Sequence, residues 1–389
     1  MPAQDTITNT IYSNGKKVRP QATYSVVEEN MMPKVLAVVP VYNGKQFAIR
    51  AIRSLLSQEY PNLGIVVIDD SSEDDPTSSI LEEFSGFPQI TMLRNKNNVG
   101  LAQTLNKALE LVTDEEFLLV LEQDCELLTD DYVTEASKQL RHNDVALVTG
   151  EDYLPEGREL PLMKKIFVHH LCEDVYDTGI VETGFTLLKA DVFRVDVLRK
   201  IGGFESSSEW KLAGEEHIIS YKIRSLGYKI IKDSNLKFTA HWDGQEKLRQ
   251  NLRKEAIYGR GLGWALARTK SDLGVGGSRQ LKRKKLNRLV QAQYVFLTVL
   301  SAFLFGLGAV FSYSLLIPLG LLSLATLVEL GYLCFNTSVF EGAKEKLLFI
   351  ITGFLRSWVY IPNFFLGFFF GFMLDIKERI QRVSLRSIS

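Results

Sequence analysis

The sequence predicts an α/β protein with a mostly parallel sheet covered on both faces, followed by a C-terminal α-helical membrane region. Short apolar runs of strand length alternate with amphipathic helical stripes through the first 245 residues. Those runs are apolar throughout, as strands buried on both faces require. From about residue 289 onward, long stretches carry almost no charge. A mean hydropathy of +0.02 hides this split between the two parts.

The elements follow in order. Residues 1–32 are polar and aperiodic, and no apolar run of adequate length follows a basic start, so they read as a flexible tail and not as a signal peptide. KVLAVVPV at 34–41 is the first strand, and Asn43-Gly44 breaks it. Ala48, Ala51, Ile52, Leu55 and Leu56 then recur at helical spacing until Pro61-Asn62. GIVVI at 64–68 is a second strand ending in Asp69-Asp70. The surroundings of Glu82 read as helix and 89–93 as strand. Leu101, Leu105, Ala108, Leu109 and Val112 form a further helical stripe, and strands follow at 117–121 and 145–148. Thr183-Gly184-Phe185 is expected to open a strand. Gly214-Glu215-Glu216 opens a helix striped by Ile219, Ile223 and Leu226, and 236–240 is a last strand. Together these give one domain over 33–245.

The remainder is organised by charge. Residues 246–288 form a basic juxtamembrane linker, in which Arg268, Lys270, Arg279, Lys282, Arg283, Lys284, Lys285 and Arg288 face Asp272 alone across 268–288. Residues 289–311 have no charge and 314–335 only Glu329, and each is long enough to span a bilayer. The membrane region continues to 374. Within 347–374, Arg356 and Pro362-Asn363 divide the run into half-length pieces, which suggests a re-entrant or interfacial segment, with a single tilted crossing as the rival. The basic tail, 375–389, then returns to the side of the linker, the cytoplasmic side. The expected location is the cytoplasmic membrane, with the large domain in the cytoplasm. Whole-chain properties exclude other classes. A length of 389 residues implies more than one unit. A net charge of −1 argues against a nucleic-acid partner. Three widely spaced cysteines exclude a disulfide framework and a cysteine zinc site. Oligomeric state is not legible.

Ligands of open α/β sheets bind beyond the carboxyl ends of the strands. Those ends carry Pro40-Val41-Tyr42-Asn43, then Asp69-Asp70-Ser71-Ser72-Glu73-Asp74, then NKNNVGL at 95–101, then Glu122-Gln123-Asp124-Cys125-Glu126. Carboxylates would repel a nucleotide's phosphates unless they hold a divalent cation, Mg²⁺ or Mn²⁺, or meet the nucleoside's donor edges.

These motifs, in this order, resemble those of inverting family 2 glycosyltransferases of the GT-A fold. VVPVYN at 38–43 matches that family's first strand. IDDSSEDDPT at 68–77 resembles VDDGSTDGT, with Ser71 where glycine is usual, and NVGLAQTLNKAL at 98–109 resembles NxGxAxARN. LEQD at 121–124 resembles the LDQD form of the DxD metal motif, with Glu122 for the first aspartate. The resemblance covers roughly residues 34–242. It implies a nucleoside-diphosphate-sugar pocket lined by Pro40, Tyr42, Asn43, Asp69, Asp70, Asn98, Gly100 and Asp124. It implies metal ligation by Asp124 with Glu122, and by His241, which stands where the family often has VxH. The acceptor side would hold Gly203 and Phe204 of the GGFDE-like loop, with Trp210 and Trp242. The family's ED pattern falls on Gly214-Glu215-Glu216, making Glu216 the general base and Glu215 the alternative. A helix N-terminus there favours an ionised carboxylate. His169-His170 receives no role.

The expected reaction is inverting transfer of a sugar to a hydroxyl of a lipid-linked or membrane-proximal glycan acceptor. A polyprenyl-phosphate sugar synthase is the alternative, although its phosphate acceptor needs no base. A processive polysaccharide synthase is a further one, although its QxxRW is not matched by QNLRK at 250–254. A non-catalytic membrane scaffold is the last.

Overall fold

The structure, a computed structural model, describes residues 12–13, 16–17, 32–73, 76–153, 179–205, 213–241, 248–269 and 342–386. Its main sheet has nine strands. They are β1 (Val35–Val41), β2 (Leu63–Asp69), β3 (Ile90–Arg94), β4 (Phe117–Leu121), β5 (Cys125–Leu127), β6 (Val145–Asp152), β7 (Ile180–Thr183), β8 (Ala190–Arg194) and β9 (Lys229–Ala240). The order is β3-β2-β1-β4-β8-β6-β9-β5, with β7 also pairing with β9. The helices are α1 (Lys45–Leu56), α2 (Pro76–Phe84), α3 (Leu101–Leu111), α4 (Tyr132–Leu140), α5 (Val195–Lys200), α6 (Glu215–Ser225), α7 (Leu248–Arg268) and α8 (Ala343–Arg386).

Alternate residues of a strand face opposite sides, and β1 shows the result. Val35, Ala37, Val39 and Val41 join Ala48, Ala51, Ile52 and Leu55 of α1 in one core. Leu36 and Val38 join Ala102, Leu105 and Ala108 of α3 in a second core across the sheet. Both faces are covered, as the continuous apolar runs require.

The expectation of a mostly parallel sheet is corrected: the sheet is mixed. Strands β1 to β4 run parallel, as do β6 and β9. Strand β8 lies antiparallel between β4 and β6, and β5 and β7 are antiparallel to β9. An all-apolar run reports burial on two faces, which a central antiparallel strand experiences equally. The strand expected to open at Thr183 instead closes there.

Helices α7 and α8 pack in parallel through glycine. A Cβ on Gly259 would strike the Tyr360 carbonyl, one on Gly263 the Phe364 carbonyl, and one on Gly367 the Arg260 carbonyl. Side-chain-free positions let the two backbones meet directly. The expected break at Pro362-Asn363 is absent, and α8 runs through it. Proline removes a backbone donor. Asn363 ties the next turn and the neighbouring helix: its Nδ2 donates to the Val359 carbonyl at 2.7 Å, one residue beyond the carbonyl that Pro362 leaves unmatched, while its Oδ1 accepts from Arg260 Nη1 of α7 at 2.6 Å. Among the described residues no helix is long and apolar enough to cross a membrane. The expected spans 289–311 and 314–335 lie outside the described residues.

Candidate active site

The site forms where β1, β2 and β4 end. Pro40 is buried in β1 beyond Val38, the last residue that pairs with β4, so its missing N–H interrupts no ladder bond on that side. There the Gln123 side chain takes over from β4. Its Oε1 accepts from Tyr42 N at 2.8 Å and its Nε2 donates to the Tyr42 carbonyl at 3.0 Å. The Tyr42 ring remains 45% exposed. Asn43 has φ 50, and its side-chain oxygen accepts from Glu73 N at 2.8 Å, which laces the β1 and β2 loops together.

Asp69 and Asp70 are buried and occupied by protein donors. Asp69 accepts from Ser72 N at 2.8 Å and Thr77 Oγ1 at 2.7 Å, and it pairs with Arg94. Asp70 accepts from Asn95 Nδ2 at 2.9 Å, Val99 N at 2.9 Å and Gly100 N at 2.8 Å. Both therefore shape the loops around the pocket, and Asp70 pins the segment carrying half-buried Asn98. Gly100, at φ 88, opens α3 from that pinned turn. Ser71 has φ 64, the left-handed conformation for which glycine is suited.

After β4, ligand atoms of Glu122, Asp124 and Cys125 lie within 4.8 Å of one another, the one such acid and thiol group among the described residues. Burial and the Asp124 charge raise the pKa of Glu122 well above the carboxylate range. Burial also raises that of the Cys125 thiol, which therefore stays protonated. Burial works against the Lys189 ammonium, but the carboxylates around it, led by Asp152 at 3.0 Å, outweigh it and raise its pKa. Two crowded carboxylates next to a neutral thiol fit a hard divalent cation held by Glu122 and Asp124.

His241 stands next to this group but turns from it. Its backbone N donates to the Asp124 carbonyl at 2.6 Å. Its Nδ1 lies 3.1 Å from Arg50 Nη1 and its Nε2 2.6 Å from Glu126 Oε2. An arginine only donates, so Nδ1 accepts and the proton sits on Nε2. In this arrangement neither ring nitrogen joins Glu122 and Asp124.

Of the two acids of α6, Glu216 lies near enough to Glu122 for its charge to act on that group. Gly214, at φ 113, caps the helix. Burial and the Glu216 charge push Glu215 up to about 8, and burial also raises Glu216. The expected benefit of the helix N-terminus is thus outweighed by desolvation. The Glu216 charge adds to the rise at Glu215, which holds its proton at neutral pH. The Glu216 charge in turn contributes to the raised pKa of Glu122.

On the acceptor side the structure separates the expected residues. Phe204 is 2% exposed and meets Phe193 edge-on at 5.6 Å, so its ring belongs to the core and offers no surface to an acceptor. Gly203, at φ 71, lies against Asn106 Oδ1 of α3, which accepts from Phe204 N at 2.8 Å. Glu205 next to them bridges Lys222 of α6 at 3.0 Å and Arg268 of α7 at 2.7 Å. Burial opposes its charge, yet those two cations lower its pKa. Trp210 and Trp242 lie outside the described residues.

Sequence reasoning missed Lys189, Tyr258 and Tyr360. Desolvation and the charges of Glu122 and Glu216 raise the pKa of Tyr258, although the residue as a whole is half exposed. Tyr360 shares a cavity wall with Tyr258 and Glu216. The readable signal was the matched glycine spacing, Gly259 with Gly263 and Gly367 with Gly371, which marks helices meant to touch.

Comparison with known proteins agrees with this geometry. Residues 36–200 match the family profile Glycosyl transferase family 2. The putative glycosyltransferase EpsE of Bacillus subtilis is 26% identical over 220 residues, 53% of this chain and 76% of that protein. The GalNAc(5)-diNAcBac-PP-undecaprenol beta-1,3-glucosyltransferase of Campylobacter jejuni is 32% identical over 99 residues, 25% of this chain and 32% of that protein. Of three other curated relatives the chain spans 20%, 40% and 23% of the length. The mannosyltransferase PcManGT of Pyrobaculum calidifontis, solved with GDP-Man and Mn²⁺, superposes with a TM-score of 0.51 at 16% identity, over 89% of each chain. Residues 36–200 thus match the glycosyl transferase family 2 profile, on a GT-A-like α/β fold.

Proposed function

We propose that this protein is a metal-dependent inverting glycosyltransferase that moves a sugar from a nucleoside-diphosphate sugar to a hydroxyl of a lipid-linked or membrane-proximal glycan acceptor. The observation that carries the reading is the approach of Glu216 on α6 to Glu122, which with Asp124 forms the acid group after β4. One pair suits a cation on the donor diphosphate and the other suits proton removal from the acceptor.

Glu216 accepts the proton of the acceptor hydroxyl as that oxygen bonds to the anomeric carbon and the bond to the diphosphate breaks. One displacement inverts the configuration at that carbon. Glu215, keeping its proton, leaves Glu216 as the site's basic oxygen. A Mg²⁺ or Mn²⁺ ion on Glu122 and Asp124 would neutralise charge on the diphosphate. The name of the Campylobacter relative, with its undecaprenol-linked substrate, supports a lipid-carried acceptor. The Mn²⁺ and GDP-Man of the Pyrobaculum complex are precedents on the same fold.

The membrane enters the proposal through α8. Leu347, Ile351, Leu355, Leu366, Phe369, Met373 and Ile380 are exposed along one stripe, opposite the glycines that meet α7. An apolar stripe of this length on a helix surface supports an interfacial position in the cytoplasmic leaflet. The large domain would then lie in the cytoplasm.

The test incubates membranes holding the protein with a panel of nucleotide sugars and a lipid extract, and identifies products by mass. Transfer should be lost with chelator, in Asp124→Ala and in Glu216→Gln. Full transfer under all three conditions would remove the metal and the base from the reading.

A further inference from the structure

The two tyrosines that no motif announced stand in one cavity with the candidate base. That cavity, of about 180 Å³, is lined by Gly214, Glu216 and His217 of the α6 entry, Tyr258 and Leu262 of α7, and Tyr360 of α8. It is assembled by close backbone contacts. A Cβ on Gly261 of α7 would strike the Ala213 carbonyl, and one on Gly214 would meet the Gly261 carbonyl. The glycines of α7 and α8 then bring Tyr360 alongside Tyr258.

We propose that this cavity is the acceptor subsite, and that Tyr258 and Tyr360 position a sugar ring there with its hydroxyl toward Glu216. This rests on the glycosyltransferase reading and assigns the binding of its saccharide acceptor to two residues outside the matched family profile.

Four observations favour a sugar. The walls combine flat aromatic faces with groups that donate and accept hydrogen bonds, which matches a ring that is apolar on its faces and polyhydroxylated at its rim. His217 Nε2 lies 3.8 Å from Glu216 Oε1, and the Tyr258 hydroxyl has no hydrogen-bond partner among the described residues. The Glu216 carboxylate in the cavity wall repels a phosphate, whereas a neutral sugar meets no such repulsion. The volume is below the usual range for drug-sized ligands, so it suits one ring and not a nucleotide.

The experiment measures KM separately for the donor and for a chloroform–methanol lipid extract titrated as acceptor, in the full-length protein. Tyr258→Ala and Tyr360→Ala should each raise the acceptor KM about tenfold or more, while the donor KM moves by less than about twofold. Tyr360→Phe, which keeps the ring face, should recover most of the loss. Tyr258 is half exposed, so its variants carry the test if Tyr360→Ala fails to fold. A shift in donor KM with the acceptor KM unmoved overturns the subsite, as does a product joined through a phosphate ester. Transfer by the wild type with unmoved acceptor KM sinks this inference alone. An inactive wild type with every nucleotide sugar sinks the glycosyltransferase reading and this inference with it.

Discussion

Replacing Asp70 by alanine would test whether that carboxylate builds the pocket or merely lines it. Its oxygens accept from Asn95 Nδ2, Val99 N and Gly100 N, and the residue is 4% exposed. A hydrogen bond to a charged group contributes about 1.5–3 kcal/mol, and a buried donor left unmatched costs a similar amount. Three such bonds share one carboxylate and do not add fully, so Asp70→Ala should destabilise by about 4 kcal/mol. Asp70→Asn can keep its oxygen toward Asn95 and Val99 but sets an amide NH₂ against Gly100 N–H, for a loss of about 2 kcal/mol. Urea unfolding followed by circular dichroism gives the global change. Hydrogen exchange over residues 95–105 gives the local one, and it should accelerate in both variants. Alanine within about 0.5 kcal/mol of the parent, or unchanged exchange in that segment, would refute the reasoning.

Other outcomes follow from single contacts. Ser71→Gly relieves a side chain held at φ 64 and should raise stability by about 1 kcal/mol, measured by urea midpoint. Gly367→Ala drives a methyl into the Arg260 carbonyl, so it should lower the melting temperature and free α8 from α7, at roughly 3 kcal/mol. Glu215, raised from 4.5 to about 8, binds more protons folded than unfolded between those values, so its contribution to stability falls as pH rises through that window. Glu215→Gln should flatten the stability profile between pH 5 and 8, by roughly 2–4 kcal/mol across it, and an unchanged profile would reject the buried-acid description.

Much of the site was legible because its residues follow apolar strands in the chain. The runs ending at Val41, Asp69 and Leu121 set the loops that carry Tyr42, Asp70 and Asp124 side by side. Strand β8 was not legible: Ala190–Arg194 runs directly into the apolar stripe of α5, and no local pattern says that it turns antiparallel in the sheet centre. Phe204 was assigned to the acceptor because it sits in a glycine loop, yet the loop is anchored by Asn106 from another helix, which rotates the ring inward. Pro362 was read as a break because sequence shows the lost donor and not the close packing against α7 that carries α8 through it. Tyr360 is beyond any local pattern, since its place depends on two helices far apart in the chain.

That last separation has a consequence in time. Synthesis delivers the N-terminal parts first, and domains tend to fold as they emerge. Every strand of the main sheet is complete at Ala240, before any of α8 has been made. A nascent chain can therefore hold a finished sheet and both acid pairs while one wall of the Glu216 cavity does not yet exist. The glycines on α8 admit it against α7 in one register, because a slip by a residue would bring a side chain against a backbone. The ribosome thus finishes the Glu216 cavity last, with the same helix that carries the apolar stripe.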